Sequence, residues 1–204
     1  MTARQPVPHV ATSDGAWLCA HSHRGAVFVS ILLTLAGSLI LPFARAQSTV
    51  SEYHVKAGFL FHFAEMADWP SDALAGQSFN FCVIGDDPFH GELEATLEGK
   101  ALGGRTIRIV HLSEPPHSSS DCPVLFIGPS EGQRLTAIFK EVGSAPVMSV
   151  GETDDFIEKG GMIRFCLDDS RVRFEVNLKA ADRARLKFSS RLLLLAKNVY
   201  GRTN

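Results

Sequence analysis

Between residues 50 and 67 the apolar side chains Tyr53, Ala57, Leu60, Phe61 and Ala64 recur at helical spacing, and Ser51 stands where an N-cap belongs. Trp69-Pro70 ends that helix, because the residue before a proline is pushed out of the α region. Phe79–Ile84 reads as a short apolar strand, which Gly85-Asp86-Asp87-Pro88 turns into a helix over about 88–98. Arg105–Leu112 alternates as a strand, residues 113–121 are polar loop, and Val124–Ile127 is a strand of the buried type. A helix over about 130–141, a strand at Val147–Val150 and a short helix near 153–159 follow.

The clearest pattern comes next. Met162–Leu167 and Arg171–Val176 flank Asp168-Asp169-Ser170, a hairpin turn. Ile163, Phe165 and Leu167 share one face with Val172, Phe174 and Val176, while Arg164, Arg171, Arg173 and Glu175 fall on the other. A cationic helix is expected from about 178 and an apolar one over Ser190–Tyr200. The predicted fold class is α/β: a single domain with a mixed central sheet, helices on both faces, and a C-terminal β-hairpin followed by helices.

The first fifty residues change the setting. Ala26–Phe43 is an uncharged apolar run preceded by Arg24 and followed by Ala44-Arg45-Ala46, the layout of a secretory signal peptide. A transmembrane anchor is the competing reading; Gly37, Ser38, Pro42 and the lack of a cationic cluster after the run weigh against it. The expected organisation is a signal peptide over 1–46, an exported domain over 47–204, and a periplasmic location. The chain has 204 residues, 45% hydrophobic and 21% charged, a globular balance. Its net charge of −2 becomes −4 over 47–204, which argues against a nucleic-acid partner. Cys19 leaves with the signal, and Cys82, Cys122 and Cys166 remain: one bridge and one leftover thiol in an oxidising compartment.

Motifs for catalysis are missing. There is no dinucleotide or Walker glycine pattern, no H-E-x-x-H and no G-x-S-x-G, so neither an enzyme, a metal nor a cofactor is expected. Asp86 and Asp87 stand at the carboxyl end of a strand, where α/β sheets bind ligands. The plainer reading is that Asp87 caps the helix that Pro88 opens. Ser189-Ser190 reads as a helix cap and not a nucleophile, and His62 as a core or interface histidine.

Several segments occur in a telling order: EYHVKAGFLFHFAEMADWP (52–70), FNFCVIGDDPF (79–89), DCPVLFIGPSE (121–131), PVMSVGE (146–152), GGMIRFCLDDSRVRFEVNL (160–178) and LKFSSRLLLLAK (186–197). Together they resemble the YfiR family of periplasmic proteins, over essentially all of 51–200. Phe61-His62-Phe63 departs from the Tyr-Asn-Phe-like run of relatives. The resemblance implies a repressor that binds the periplasmic part of a membrane-bound diguanylate cyclase, lowering cyclic di-GMP and biofilm formation. It also implies a homodimer, an outer-membrane lipoprotein as a further partner, and a Cys82–Cys122 disulfide. Cys166 is then the unpaired thiol. It is either exposed beside arginines that lower its pKa, or a small buried hydrophobe.

Two contact surfaces are expected. Tyr53, Phe59, Phe61, Phe63 and Trp69 exceed what one core-facing stripe of the first helix needs. Either that helix is buried on most sides, or some of these rings meet a partner. Arg171, Arg173 and Glu175 on the polar face of the hairpin form the second surface. A periplasmic small-ligand sensor acting on another membrane receptor is the alternative function.

Overall fold

A computed structural model describes residues 51–74, 76–119 and 121–201. The expected signal peptide and Cys19 lie outside the described residues. Among those described, no helix is long and apolar enough to cross a membrane.

The chain runs α1 (Glu52–Glu65), β1 (Ala67–Asp68), β2 (Ser78–Ile84), α2 (Glu92–Leu97), β3 (Ala101–Leu102), β4 (Arg105–Leu112) and β5 (Val124–Ile127). A 3-10 turn (Pro129–Glu131), α3 (Leu135–Val142), β6 (Met148–Gly151), β7 (Ile163–Asp168) and β8 (Arg171–Asn177) follow. The chain closes with α4 (Leu178–Arg183), β9 (Lys187–Phe188), α5 (Ser190–Leu195) and β10 (Asn198–Tyr200). Eight strands form one mixed sheet in the order β10-β8-β7-β6-β5-β2-β4-β3, and β1 pairs with β9 in a separate ladder. The predicted α/β class is correct.

Alternation along the strands splits the core between two faces. Phe79, Phe81 and Val83 of β2 join Val124 and Phe126 of β5 in the larger cluster, under α1 and α2. Cys82, Ile84, Leu125 and Ile127 take the opposite parity and pack with Leu135, Ile138 and Val142 of α3. The Asp169 and Ser170 backbones both have positive φ, as a two-residue hairpin loop of the right-twisted kind requires.

Element boundaries differ from expectation where local chemistry intervenes. Ser51 precedes α1 without a side-chain cap, and α1 ends at Glu65, ahead of Trp69-Pro70, because Ala67 and Asp68 pair with Phe188 and Lys187. The helix expected over 88–98 begins only at Glu92. Asp87 Oδ1 accepts the Phe89 N–H at 2.9 Å, and His90 and Gly91 take positive φ, which no right-handed helix continues. Residues 153–159 form turns instead of a helix, around the buried Phe156 ring. That ring lies so close to Gly151 and Gly161 that a Cβ on either would sit 2.2 Å from it. The apolar C-terminal helix stops at Leu195; Ala196 turns extended and β10 pairs in parallel with β8. Ser189 does cap α5, its Oγ accepting the Leu192 N–H at 3.3 Å.

Cys82 and Cys122 are joined by a disulfide, with Cα atoms 5.9 Å apart, inside the cluster under α3. The bridge closes a loop across a sequence separation of 40, tying β2 to the segment entering β5. Replacing both residues by alanine is expected to lower the unfolding free energy by about 4 kcal/mol, the loop-closure entropy for this length. Urea titration of the variant against the oxidised protein measures it; an unchanged midpoint would refute it.

Candidate functional site

Helix α1 places Lys56 on the same inward stripe as Leu60 and Phe63, leaving the lysine only 3% exposed. A cation removed from water needs counter-charges and hydrogen bonds, and three neighbours supply them. Nζ donates to Glu152, just past the end of β6, and to Glu52 one helical turn back at 2.5 Å. It also lies 4.3 Å from the centre of the Tyr53 ring, whose hydroxyl donates to Glu152 at 3.0 Å. Burial works against the charged lysine, but the hydrogen bonds to Glu152 and Glu52 outweigh it and hold its pKa above the ordinary value. Burial, followed by the Glu152 charge, raises the Tyr53 pKa.

A second network sits on the other face of the hairpin. Arg164 Nε donates to Glu175 Oε2 at 3.0 Å, and Nη1 donates to the carbonyl and carboxylate of Asp154 at 3.1 and 3.0 Å. Glu175, 4% exposed, also accepts from Asn198 Nδ2 at 2.6 Å and from the Tyr200 hydroxyl at 3.4 Å. Burial opposes the Arg164 charge, but Glu175 outweighs it and raises that pKa. The two networks flank a cleft of about 540 Å³ at the carboxyl ends of β5, β6 and β7. Tyr53, Lys56, Glu152, Arg164 and Cys166 are among its walls.

Asp86 and Asp87 are not in this cleft. The strand order reverses between β2 and β5, the position where open α/β sheets bind ligands. Here the two loops close on one another: the Asp86 N–H donates to Ser130 Oγ at 2.8 Å, and a Cβ on Gly128 would lie 2.6 Å from the Asp86 carbonyl. Asp87 instead makes its backbone turn. With Glu94 and His111 it offers ligand atoms all within 4.8 Å of one another, the residues whose spacing suits a cation.

The aromatic surplus of the first helix is largely absorbed within the domain. Phe63 is fully buried, its ring centre 4.7 Å from that of Phe174. Tyr53 meets Phe89 edge-on, Trp69 meets Phe79, and Phe61 lies beneath the Lys100 ammonium. Phe59 is half-buried and touches Phe63, Phe165 and Phe174. Two expected surface residues are therefore corrected. Phe63 is core because it lies over the hairpin, and Glu175 is buried because Arg164 and β10 cover it. Arg171 and Arg173 are exposed as expected.

Alternation puts Leu167 on the apolar face of the hairpin, but it lies near the tip, beyond the buried Ile163 and Phe165, and is part of an exposed apolar surface. Leu167 at the hairpin is 54% exposed and Leu194 on α5 83%, with Leu195 also exposed. Phe59 lines a groove of about 310 Å³ with Leu195 and one of about 610 Å³ with Leu167, so it lies between those two leucines. The charged side chains of the cleft satisfy one another, and the apolar surface beside it is left exposed. Residues 53–197 match the family model described as YfiR/HmsC-like, and the chain belongs to that family. No curated protein matches the chain.

Cys166 is free and half-buried, on the Arg164 side of β7. Of the two expectations, the exposed thiol with a lowered pKa does not hold, and the half-buried thiol has a raised pKa. Burial first, then the Glu175 carboxylate, raise it, and the Lys197 and Arg164 charges do not compensate. The thiol is expected to react with iodoacetamide at pH 8 several-fold more slowly in the folded protein than in urea. Equal rates would contradict the shielding.

Lys56→Met is expected to cost about 3–5 kcal/mol, because it strands the Glu152 carboxylate away from water. Adding Glu152→Leu is expected to recover most of that, as both charges are then gone. The raised lysine pKa also sets a pH dependence. Its stabilisation is complete below the ordinary lysine range of about 10.4 and is lost as pH rises through the higher folded value. Urea midpoints across that alkaline range, falling more steeply in the wild type than in the double variant, check both statements.

Proposed function

We propose that this protein is a periplasmic repressor that binds the periplasmic part of a membrane-bound diguanylate cyclase and lowers cyclic di-GMP. The match to the YfiR/HmsC-like family over residues 53–197 carries the reading, since the family consists of regulators and not enzymes. The exposed leucines on both sides of Phe59 support it, because apolar strips of this kind anchor protein partners. The apolar run and small-residue exit before residue 47 support export. A homodimer and an outer-membrane lipoprotein as a further partner complete the proposal.

A periplasmic sensor of a small ligand is the second reading. The cleft of about 540 Å³ favours it, standing at the carboxyl ends of parallel strands, where α/β proteins bind small molecules. Deleting the gene is expected to raise cellular cyclic di-GMP and surface attachment. The full chain should reverse both effects, and a chain starting at residue 47 that stays in the cytoplasm should not. Unchanged cyclic di-GMP in the deletion strain would overturn the repressor reading in favour of the sensor.

A further inference from the structure

Three side chains that neither the cleft nor the apolar surface uses converge beside the carboxyl ends of β2 and β4. Asp87 follows β2, Glu94 projects from α2, and His111 lies on β4 opposite Val83 of β2. Each is held by the packing of its own element. Asp87 Oδ1 accepts the N–H of Phe89, whose ring is buried. Leu93 and Leu97 anchor α2 in the core, and the parallel ladder with β2 fixes β4. Asp86, not Asp87, makes the seal against the loop after β5, so the Asp87 carboxylate stays on the side of α2 and β4.

The cluster differs from the other surface pairs of imidazole and carboxylate. His54–Glu92 and His62–Glu65 are contacts of two residues at 3.0 and 2.9 Å, ordinary hydrogen-bond lengths. His111 Nε2 instead stands 3.4 Å from Glu94 Oε1 and is joined by a second carboxylate, with one donor atom of each residue within 4.8 Å of the others. Two ligands on one tetrahedral zinc ion, each bonded at about 2.0–2.1 Å, are about 3.3–3.4 Å apart, which is the His111–Glu94 spacing. The charges agree with the distances. Asp87 and Glu94 face one another, and among the described residues neither has an ion pair with lysine or arginine. Lys100 lies over the Phe61 ring, and Arg108 has the opposite parity to His111 along β4, so it is on the other face of the sheet.

We infer that Asp87, Glu94 and His111 form a binding site for a divalent transition-metal ion of the zinc type, with water completing its coordination. The imidazole selects against magnesium and calcium, which take oxygen ligands. The Glu94 and His111 side chains are 45% and 53% exposed, so the ion enters directly from solvent and a small rotation of either chain closes the wider spacing to Asp87. Bound there, it neutralises the facing carboxylates and ties α2 to the ends of β2 and β4. None of the three residues lines the cleft, and the site does not depend on the repressor reading.

Untagged protein is dialysed against a chelator and titrated with zinc chloride in competition with a chromophoric zinc indicator. A single equivalent is expected to bind, to shift the His111 ring resonances in NMR spectra, and to raise the urea midpoint; magnesium chloride at the same concentration should do none of these. His111→Ala and Glu94→Gln, both exposed, should each weaken zinc binding by at least about tenfold and leave the zinc-free urea midpoint unchanged. Asp87→Asn keeps the Oδ1 that accepts the Phe89 N–H and should weaken zinc binding to the same degree. His54→Ala and Cys166→Ala should bind zinc as the wild type does. No binding of a full equivalent, equal effects of zinc and magnesium, or undiminished affinity in His111→Ala would overturn the inference.

Discussion

One buried ion pair organises the end of the domain where its surfaces meet. Lys56 is held on the inward stripe of α1 by Leu60 and Phe63, so its ammonium cannot reach bulk water. Glu152 has to follow β6 immediately for the carboxylate to arrive, and Tyr53 completes the shell through its ring and hydroxyl. Such pairs contribute little net stability, but breaking one is expensive. The pair therefore acts as a register pin, fixing α1 over the ends of β6 and β7. The position of Phe59 over Phe165 and Phe174 follows from it, and with it the apolar strip on the surface.

The second organising feature is a mismatch in strand length. After Gly151 the chain wraps around Phe156, between two glycines that leave room for the ring and for nothing larger. That turn takes the backbone away from β7 before β7 ends. Arg164 spans the gap by bonding Asp154 on the departing loop and Glu175 on β8. The cleft is what lies between the diverging segments, walled by charges already matched to one another. Packing at Phe156 and the open edge of β7 are thus two consequences of one turn.

Much of the architecture was legible in the residues, and the failures have physical causes. The short apolar runs at β2 and β5 and the alternation of β4 and the hairpin showed the strands of the sheet. The segment 153–159 read as helix because Phe156 and Ile157 with flanking acids mimic a helical turn, whereas ring packing against Gly151 and Gly161 decides the matter. The two-residue strands β1 and β9 are too short to carry a period. The Lys56–Glu152 pair had a visible sign: a lysine set among Ala57, Leu60 and Phe63 on an otherwise apolar stripe. Its partner was not visible, because Glu152 lies 96 residues away and only the sheet order brings them together. The run Leu192–Leu195 held another sign, for four consecutive leucines on one helix cannot all face inward; Leu192 is buried and Leu194 is the most exposed.

The general rule for ligand position in α/β sheets fails at Asp86 and Asp87 for a reason that also relocates the functional surface. A crevice at the switch point requires the loops after β2 and β5 to diverge. Gly128 and Ser130 instead bring them into contact, so the carboxyl end of β2 is sealed. The sheet opens two strands further along, where β6 and β7 part. There the lining is largely neutralised within itself, and the exposed area beside it is leucine and phenylalanine. A small charged ligand finds few unmatched groups in such a place. The exposed leucine and phenylalanine beside it are the part of this surface that remains unmatched, and apolar side chains of another chain complement it.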